Sequence, residues 1–322
     1  LFLGVNQHAA QGLNLLAFLP MAGFALAAHI KKKREEQHIR QEDLCRGICD
    51  KSTLSRIERG KQEPSSGILG VLLQRLGINE DQLAVLLGPK DFEISDLQKE
   101  IVALNSQKEY EKAAEKIRRL EQLVEPTDKI TQQFILRCKA LAYFPEDYPA
   151  SRDLLLQALS LTLPDFDFDH ISDYLLGIEE VKILNQIANS YSEAGDRRFA
   201  IHIYRQLFED PRKQLLNTEA KVSLVIMLAY NYSRLLGLER RYEEEIEIAT
   251  IGQQACIQYN KCRLLGGLLL NIAYAQHGLG QDSECKTNLI DSYYAYHLMH
   301  DETSCEVVQK YAKEILGIEL PY

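Results

Sequence analysis

The sequence predicts an all-α protein in two parts, a compact five-helix module followed by a long array of paired helices. Three observations carry this. From Phe92 to Tyr322 strand-like alternation is almost absent. Helical stripes of 14 to 20 residues recur there instead, parted by short breaks. Near the N-terminus, the stretch Ile39–Gly60, IRQEDLCRGICDKSTLSRIERG, reads as two short helices joined by a tight turn, a helix-turn-helix. At 322 residues the chain has room for a small domain and a repeat array.

Taken in order, the first helix is expected from Ala22 to Gln37, with Leu26, Ile30 and the stem of Arg34 four residues apart on one side. The second, Gln41 to Arg46, carries Leu44 and Cys45 inward, with Ile48 continuing the stripe. Gly47 to Asp50 forms the turn. Asp50 is the N-cap of the third helix, Lys51 to Arg59, because its carboxylate can accept from first-turn amides. There Leu54 and Ile57 face in, while Lys51, Ser52, Ser55 and Arg56 are left outside, an outer face suited to phosphates and base edges in a major groove. Lys61 to Pro64 is a loop, and Ser65 or Ser66 caps a fourth helix ending before Gly77. A fifth runs from the cap Asn79 to Leu87, closed by Gly88-Pro89. The domains expected are thus an N-terminal extension over 1–21, a helix-turn-helix domain over 22–88 and a repeat domain over 91–322.

Net charge is −9, which as an average argues against a nucleic-acid binder. The average conceals an asymmetry. His29 to Arg75 holds eleven Lys or Arg against seven Asp or Glu, a net of +4, so the remainder carries −13. Seven cysteines without CxxC pairs fit a reducing, cytoplasmic setting. The first twenty-eight residues lack Asp, Glu, Lys and Arg, yet the basic run follows the apolar stretch rather than preceding it as a signal peptide requires. Asn14 and Pro20 also interrupt that stretch below the length of a membrane span. It is read as an extension with no required role, with Met21 as an alternative start.

The span Ile30 to Gly77 resembles the helix-turn-helix of the lambda-repressor/Cro (XRE) class, through the late Arg of helix one, Gln-Glu-Asp-Leu opening helix two, Ser-Thr-Leu-Ser-Arg-Ile-Glu-Arg-Gly through the recognition helix, and Pro-Ser before helix four. The resemblance implies a partly buried ion pair between Arg34 and Glu58, and a DNA contact by Gln41. It adds position to the outer face of helix three, so that Lys51, Ser52, Thr53, Ser55 and Arg56 are expected to meet DNA, with Arg59 and Lys61 adding phosphate contacts. Arg40 stands where the class usually has a Ser or Thr cap, and the Ile48-Cys49-Asp50 turn is one residue short. That turn is similar to those of PlcR- and Rgg-like (RNPP) regulators, whose DNA-binding module precedes a helical repeat domain.

The later stripes fit such a domain. Leu184, Ile187, Ala188 and Tyr191 lead to Gly195-Asp196 and then Ala200 and Tyr204, a pair that resembles a tetratricopeptide repeat. Leu97 to Ala103 followed by Tyr110, Ala113, Ala114 and Ile117 looks like an earlier one. First helices of such pairs commonly line a peptide groove, and Asn offers donor and acceptor together. Asn185, Asn189, Asn231 and Asn271 fall on first helices, with Tyr230, Tyr232, Tyr274 and Gln276 as secondary candidates. An Asn can equally bridge neighbouring helices. Glu239 to Glu247 is read as a solvated helix start, and Lys31 to Lys33 as a basic face that either approaches phosphate or is simply exposed.

No G-x-S-x-G, H-E-x-x-H, phosphate loop or Cys/His cluster is present, so an enzyme is not expected. Asp165, Asp167, Asp169 and His170 form the one dense set of ligand-type residues, without EF-hand spacing, and neither metal nor cofactor is expected. The resemblance implies a cytoplasmic, homodimeric transcriptional regulator that binds an operator of two half-sites and senses a short signalling peptide, with no membrane partner. Two alternatives remain: a regulator whose array only dimerises or docks protein, and a repeat scaffold that does not bind DNA.

Overall fold

The structure is a computed structural model that describes residues 26–78, 88–144, 146–208 and 219–320. The extension over 1–21, the start of the first helix and the expected helix over 79–87 lie outside the described residues. Among those residues every regular element is a helix, and none is long and apolar enough to cross a membrane. Contacts divide the chain into two compact units, Leu1–Ile183 and Leu184–Tyr322. The first therefore takes in the helix-turn-helix and the first helices of the array together.

In the first unit, α1 (residues 26–36), α2 (Gln41–Cys45), α3 (Lys51–Glu58) and α4 (Ser66–Leu76) enclose a core of Ile30, Leu44, Cys45, Leu54, Ile57, Leu69, Leu72, Leu73 and Leu76. Burying a side chain of this size stabilises by about 1.5–3 kcal/mol, which is why four short helices hold together. The ends are capped as the residue types dictate. Asp50 accepts from the Thr53 amide at 2.8 Å, Ser65 from the Ile68 amide, and Gly77 takes a left-handed conformation at φ 67° after α4. Arg40 makes no side-chain cap for α2. Its guanidinium reaches Asp43 at 2.7 Å instead.

The array begins with α5 (Pro89–Ser106) and α6 (Tyr110–Leu123), then α7 (Lys129–Tyr143) and α8 (Tyr148–Thr162). Leu97, Ile101, Ile117, Leu120, Phe134 and Ile135 form the common core of α5, α6 and α7. The turn between α2 and α3 packs directly on this array. Gly47 has φ 74°, and a Cβ there would stand 1.4 Å from the Thr162 carbonyl oxygen, so only glycine fits. Helix α9 (Ile178–Glu193) follows a 3-10 turn at Ile171–Asp173, and its first six residues belong to the first unit.

In the second unit, the rest of α9 is followed by α10 (Arg197–Phe208), α11 (Glu219–Leu238), α12 (Tyr242–Gln258), α13 (Leu265–Gly278), α14 (Asp282–Leu298) and α15 (Glu302–Leu316). The small residues expected between paired helices are fully buried at Ala188 and Ala200. The break at Gly195-Asp196 falls between helices as expected, and Asn260-Lys261 and Gly280-Gln281 also part neighbouring helices. One expectation is corrected. Glu239 to Glu247 is not solvated throughout, because Glu245 shares the inward stripe of α12 with Ala249, Gly252 and Cys256 and is 1% exposed.

Candidate nucleic-acid interface and the array's polar network

Helix α3 is oriented by what it buries. Leu54, Ile57 and Glu58 point into the module, which turns Lys51, Ser52, Arg56 and Arg59 outward and leaves Thr53 and Ser55 half-exposed. Glu58 is the pivot. Its carboxylate receives Arg34 Nε at 2.6 Å, Arg34 Nη2 at 3.0 Å and Gln41 Nε2 at 2.7 Å, so helices α1, α2 and α3 are pinned by one acceptor. The Glu58 hydrogen bond and charge raise the Arg34 pKa further above its ordinary value, against the opposing pull of burial. Gln41, expected at DNA, therefore spends one of its two amide N–H donors inside the module.

The outward groups are also held by neighbours. Ser52 and Thr53 hydroxyls both donate to Asp50, at 2.5 and 2.9 Å, and with the Thr53 amide they hold that carboxyl far below the usual range. A fixed negative charge thus sits at the N-terminus of α3, where an anion would otherwise be favoured. That end of α3 is therefore not itself a free anion site. Lys51 pairs with Glu42, Arg56 donates to Thr53 Oγ1 at 3.2 Å, and Arg59 donates to the Ser55 carbonyl at 3.0 Å. Lys61 is exposed, and its amide closes the end of α3 on the Arg56 carbonyl at 2.8 Å. Two open depressions of about 410 and 500 Å³ share Gln41, Lys51, Ser55 and Arg59, and the first is also lined by Glu35, Glu42 and Glu58. The Lys31 to Lys33 run is likewise engaged, along α1 by Glu35 and Glu36.

Residues 30–83 match the helix-turn-helix family model, and residues 98–313 match that of the RNPP family C-terminal domain. The chain belongs to the RNPP family. No curated protein matches it. Among solved structures, PlcR of Bacillus thuringiensis in complex with the peptide PapR7 and DNA is 23% identical, with a TM-score of 0.58, over 88% of this chain and 98% of that one. The apo form of the competence regulator ComR from Streptococcus vestibularis is 14% identical, with a TM-score of 0.52, over 91% of this chain and 98% of that one. At such identities the likeness is one of fold.

In this RNPP chain the asparagines expected on first helices are brought together in two groups, and both are internally bonded. Tyr204 Oη lies 3.0 Å from Asn185 Oδ1 and 2.7 Å from Asn189 Oδ1, and Asn231 Nδ2 donates to Asn185 Oδ1 at 2.9 Å. Farther along, Asn271 Nδ2 donates to Ser233 Oγ at 2.8 Å and to the Tyr230 carbonyl at 3.1 Å. Gln276 accepts from Asn288 at 2.9 Å. Asn185 and Asn271 are buried, and Asn189 and Asn231 half-buried. Tyr232 is buried and stacks on Tyr204 with ring centroids 5.3 Å apart, while Tyr274 is exposed.

The Asp165 to His170 set shapes its own loop. His170 Nδ1 meets Asp167 Oδ2 at 2.7 Å, and Tyr174 Oη donates to the Asp165 carbonyl at 2.9 Å. Sequence reasoning missed the buried pair of Arg75 and Glu180, which lies behind the recognition surface. Arg75 Nη1 donates to the carbonyls of Leu44 and Arg46 at 2.9 and 2.8 Å, and Nη2 to Glu180 Oε1 at 3.1 Å. A charged residue set among the apolar positions of α4 was the available signal.

Proposed function

We propose that the chain is a cytoplasmic, sequence-specific transcriptional regulator that binds DNA as a homodimer through residues 22–88, while residues 91–322 dimerise and bind a short signalling peptide. The observation that carries this is the outward Lys51, Ser52, Ser55, Arg56 and Arg59 face on a helix pinned by Glu58, in a chain of the RNPP family. Lys51, Ser52, Thr53 and Arg56 meet base edges and phosphates, Gln41, Ser55, Arg59 and Lys61 adding backbone contacts. One module of this size makes few contacts, so two half-sites are engaged together. Peptide binding acts by favouring one arrangement of the dimer over another.

Exchanging Lys51 and Arg56 for alanine together is expected to weaken operator binding by tenfold or more, since a good bidentate base contact is worth roughly 1–3 kcal/mol. The salt dependence should also become shallower as phosphate contacts are lost. Both side chains are exposed, so the thermal midpoint should hold. Fluorescence anisotropy across a salt series reads affinity and salt slope, a thermal melt reads the midpoint, and unchanged affinity would remove helix α3 from the interface.

The internal bonding of Asn185, Asn231 and Asn271 favours a second reading, in which the array only dimerises or docks protein. Calorimetry with peptides encoded beside the gene separates the two. Binding that Asn189→Ala and Asn231→Ala weaken supports peptide sensing through these residues. Intact operator binding with no peptide heat supports the second reading.

A further inference from the structure

Glu245 stands apart in the second unit. Among the described residues its Oε2 has no hydrogen-bond partner and no neighbouring cation, and burial pushes its carboxyl up to about 8. The carboxyl packs against the end of α11, where a Cβ at Gly237 would stand 2.5 Å from Oε1. A chain of tyrosines starts three residues before Glu245 on the same helix, at Tyr242. The Tyr242 ring is 6.1 Å from that of Tyr274, which is 5.8 Å from that of Tyr311. Tyr311 Oη is a second buried polar atom without a partner; burial raises its pKa, and the nearby charge of Glu245 adds to the rise. Tyr274 is 39% exposed and opens the cluster to solvent.

Each of these two orphaned polar atoms is a standing cost to the fold. One kind of group relieves both. A cation is drawn to tyrosine faces and to a carboxylate, and an ammonium carries three donors on a compact centre, enough for Glu245 and for the acceptor side of Tyr311 Oη. A guanidinium needs a planar fork of acceptors, which a single carboxyl oxygen and a phenol do not form.

We propose that Glu245, Tyr242, Tyr274 and Tyr311 form a binding site for a primary ammonium group, supplied by a lysine side chain or a free α-amine. The inference rests on the peptide reading only for the source of that amine. The site itself is tested without any peptide.

The chain has sixteen tyrosines and no tryptophan, so its intrinsic emission reports on tyrosine. Titration with n-butylammonium chloride at fixed ionic strength should give a saturable emission change and a raised thermal midpoint, while n-butanol gives neither. Glu245→Gln, which keeps the shape, should weaken binding about tenfold or more, as expected for loss of a charge-assisted contact. Tyr311→Phe should weaken it less. No saturable response, an equal response to butanol, or undiminished binding by Glu245→Gln overturns the proposal. Should a variant misfold, the midpoint of the unaltered chain decides alone, rising with butylammonium if the site exists and failing to rise if it does not. Hexapeptides then separate the sources: one acetylated with a single lysine, one lysine-free with a free N-terminus. Binding of either that Glu245→Gln weakens names the source. Binding of butylammonium alone keeps the site and assigns it to a small free amine, independently of the peptide reading.

Discussion

Replacing Glu180 with alanine should cost the first unit on the order of 3–5 kcal/mol, the penalty for leaving a buried partner charge uncompensated. Arg75 and Glu180 side chains are only 1% and 3% exposed, so water cannot take over. Glu180 also accepts from Thr162 Oγ1 at 2.7 Å and from the Gly177 amide at 2.6 Å, and Thr162 in turn receives Gln133 Nε2 at 2.7 Å. One carboxylate therefore joins α4, α8 and the start of α9. The double exchange Arg75→Leu with Glu180→Leu should recover part of the loss, because no charge is then stranded. Recovery stays incomplete, since the Leu44 and Arg46 carbonyls lose their donor. Urea unfolding gives the magnitudes, and amide exchange should show protection lost first in α2, α4 and the first turn of α9. A loss below about 1 kcal/mol for Glu180→Ala would mean that the pair is not a structural tie.

The same network runs behind the candidate recognition surface. Arg75 grips the carbonyls at the end of α2, Gly47 seats the following turn on Thr162, and Glu58 ties α3 to α1 and α2. The helix-turn-helix is held from behind by the array and from within by its own ion pair. Its outward face is consequently presented by rigid elements, which lowers the ordering cost of meeting a groove.

The parts of this arrangement that local chemistry specifies were legible in the sequence. Asp50 before Lys51, the three-residue spacing of Leu54 and Ile57, and Gly77 after Leu76 each act over less than two turns, and each is found in its expected role. The turns at Lys108, Arg240 and His300 were less so. Each adopts a left-handed conformation, with φ of 61°, 56° and 56°, on a residue that normally avoids it, so no glycine announces the break. Long-range polar pairing was legible only where the family resemblance supplied it, as for Arg34 and Glu58. Arg75 and Glu180 are 105 residues apart, and Asn231 and Asn185 are 46 apart, so only the packed helices decide that they meet. Glu245 is an intermediate case. Its register with Ala249 and Cys256 places it inward, but a run of four acids and two arginines around it suggests solvent.

That buried position gives the second large effect, read from pH rather than from a deletion. The folded carboxyl of Glu245 titrates at about 8, against an ordinary value of 4.5. Between those values the unfolded chain releases the proton while the folded chain keeps it, so the folded state binds more protons and stability falls as pH rises. The contribution is intact below about 4.5, is lost at up to roughly 1.4 kcal/mol per pH unit, and is gone above about 8. Glu245→Gln cannot ionise. The difference in unfolding free energy between this variant and the parent should therefore swing toward the variant across that range, by on the order of 3–5 kcal/mol in total. Taking the difference cancels the other titrating groups, which both proteins share. Urea unfolding at pH 5, 6.5 and 8 measures the swing, and parallel curves would mean that Glu245 reaches water or a cation in solution. An ammonium bound in the tyrosine cluster favours the ionised carboxylate, so saturating n-butylammonium should flatten the parent curve toward that of the variant.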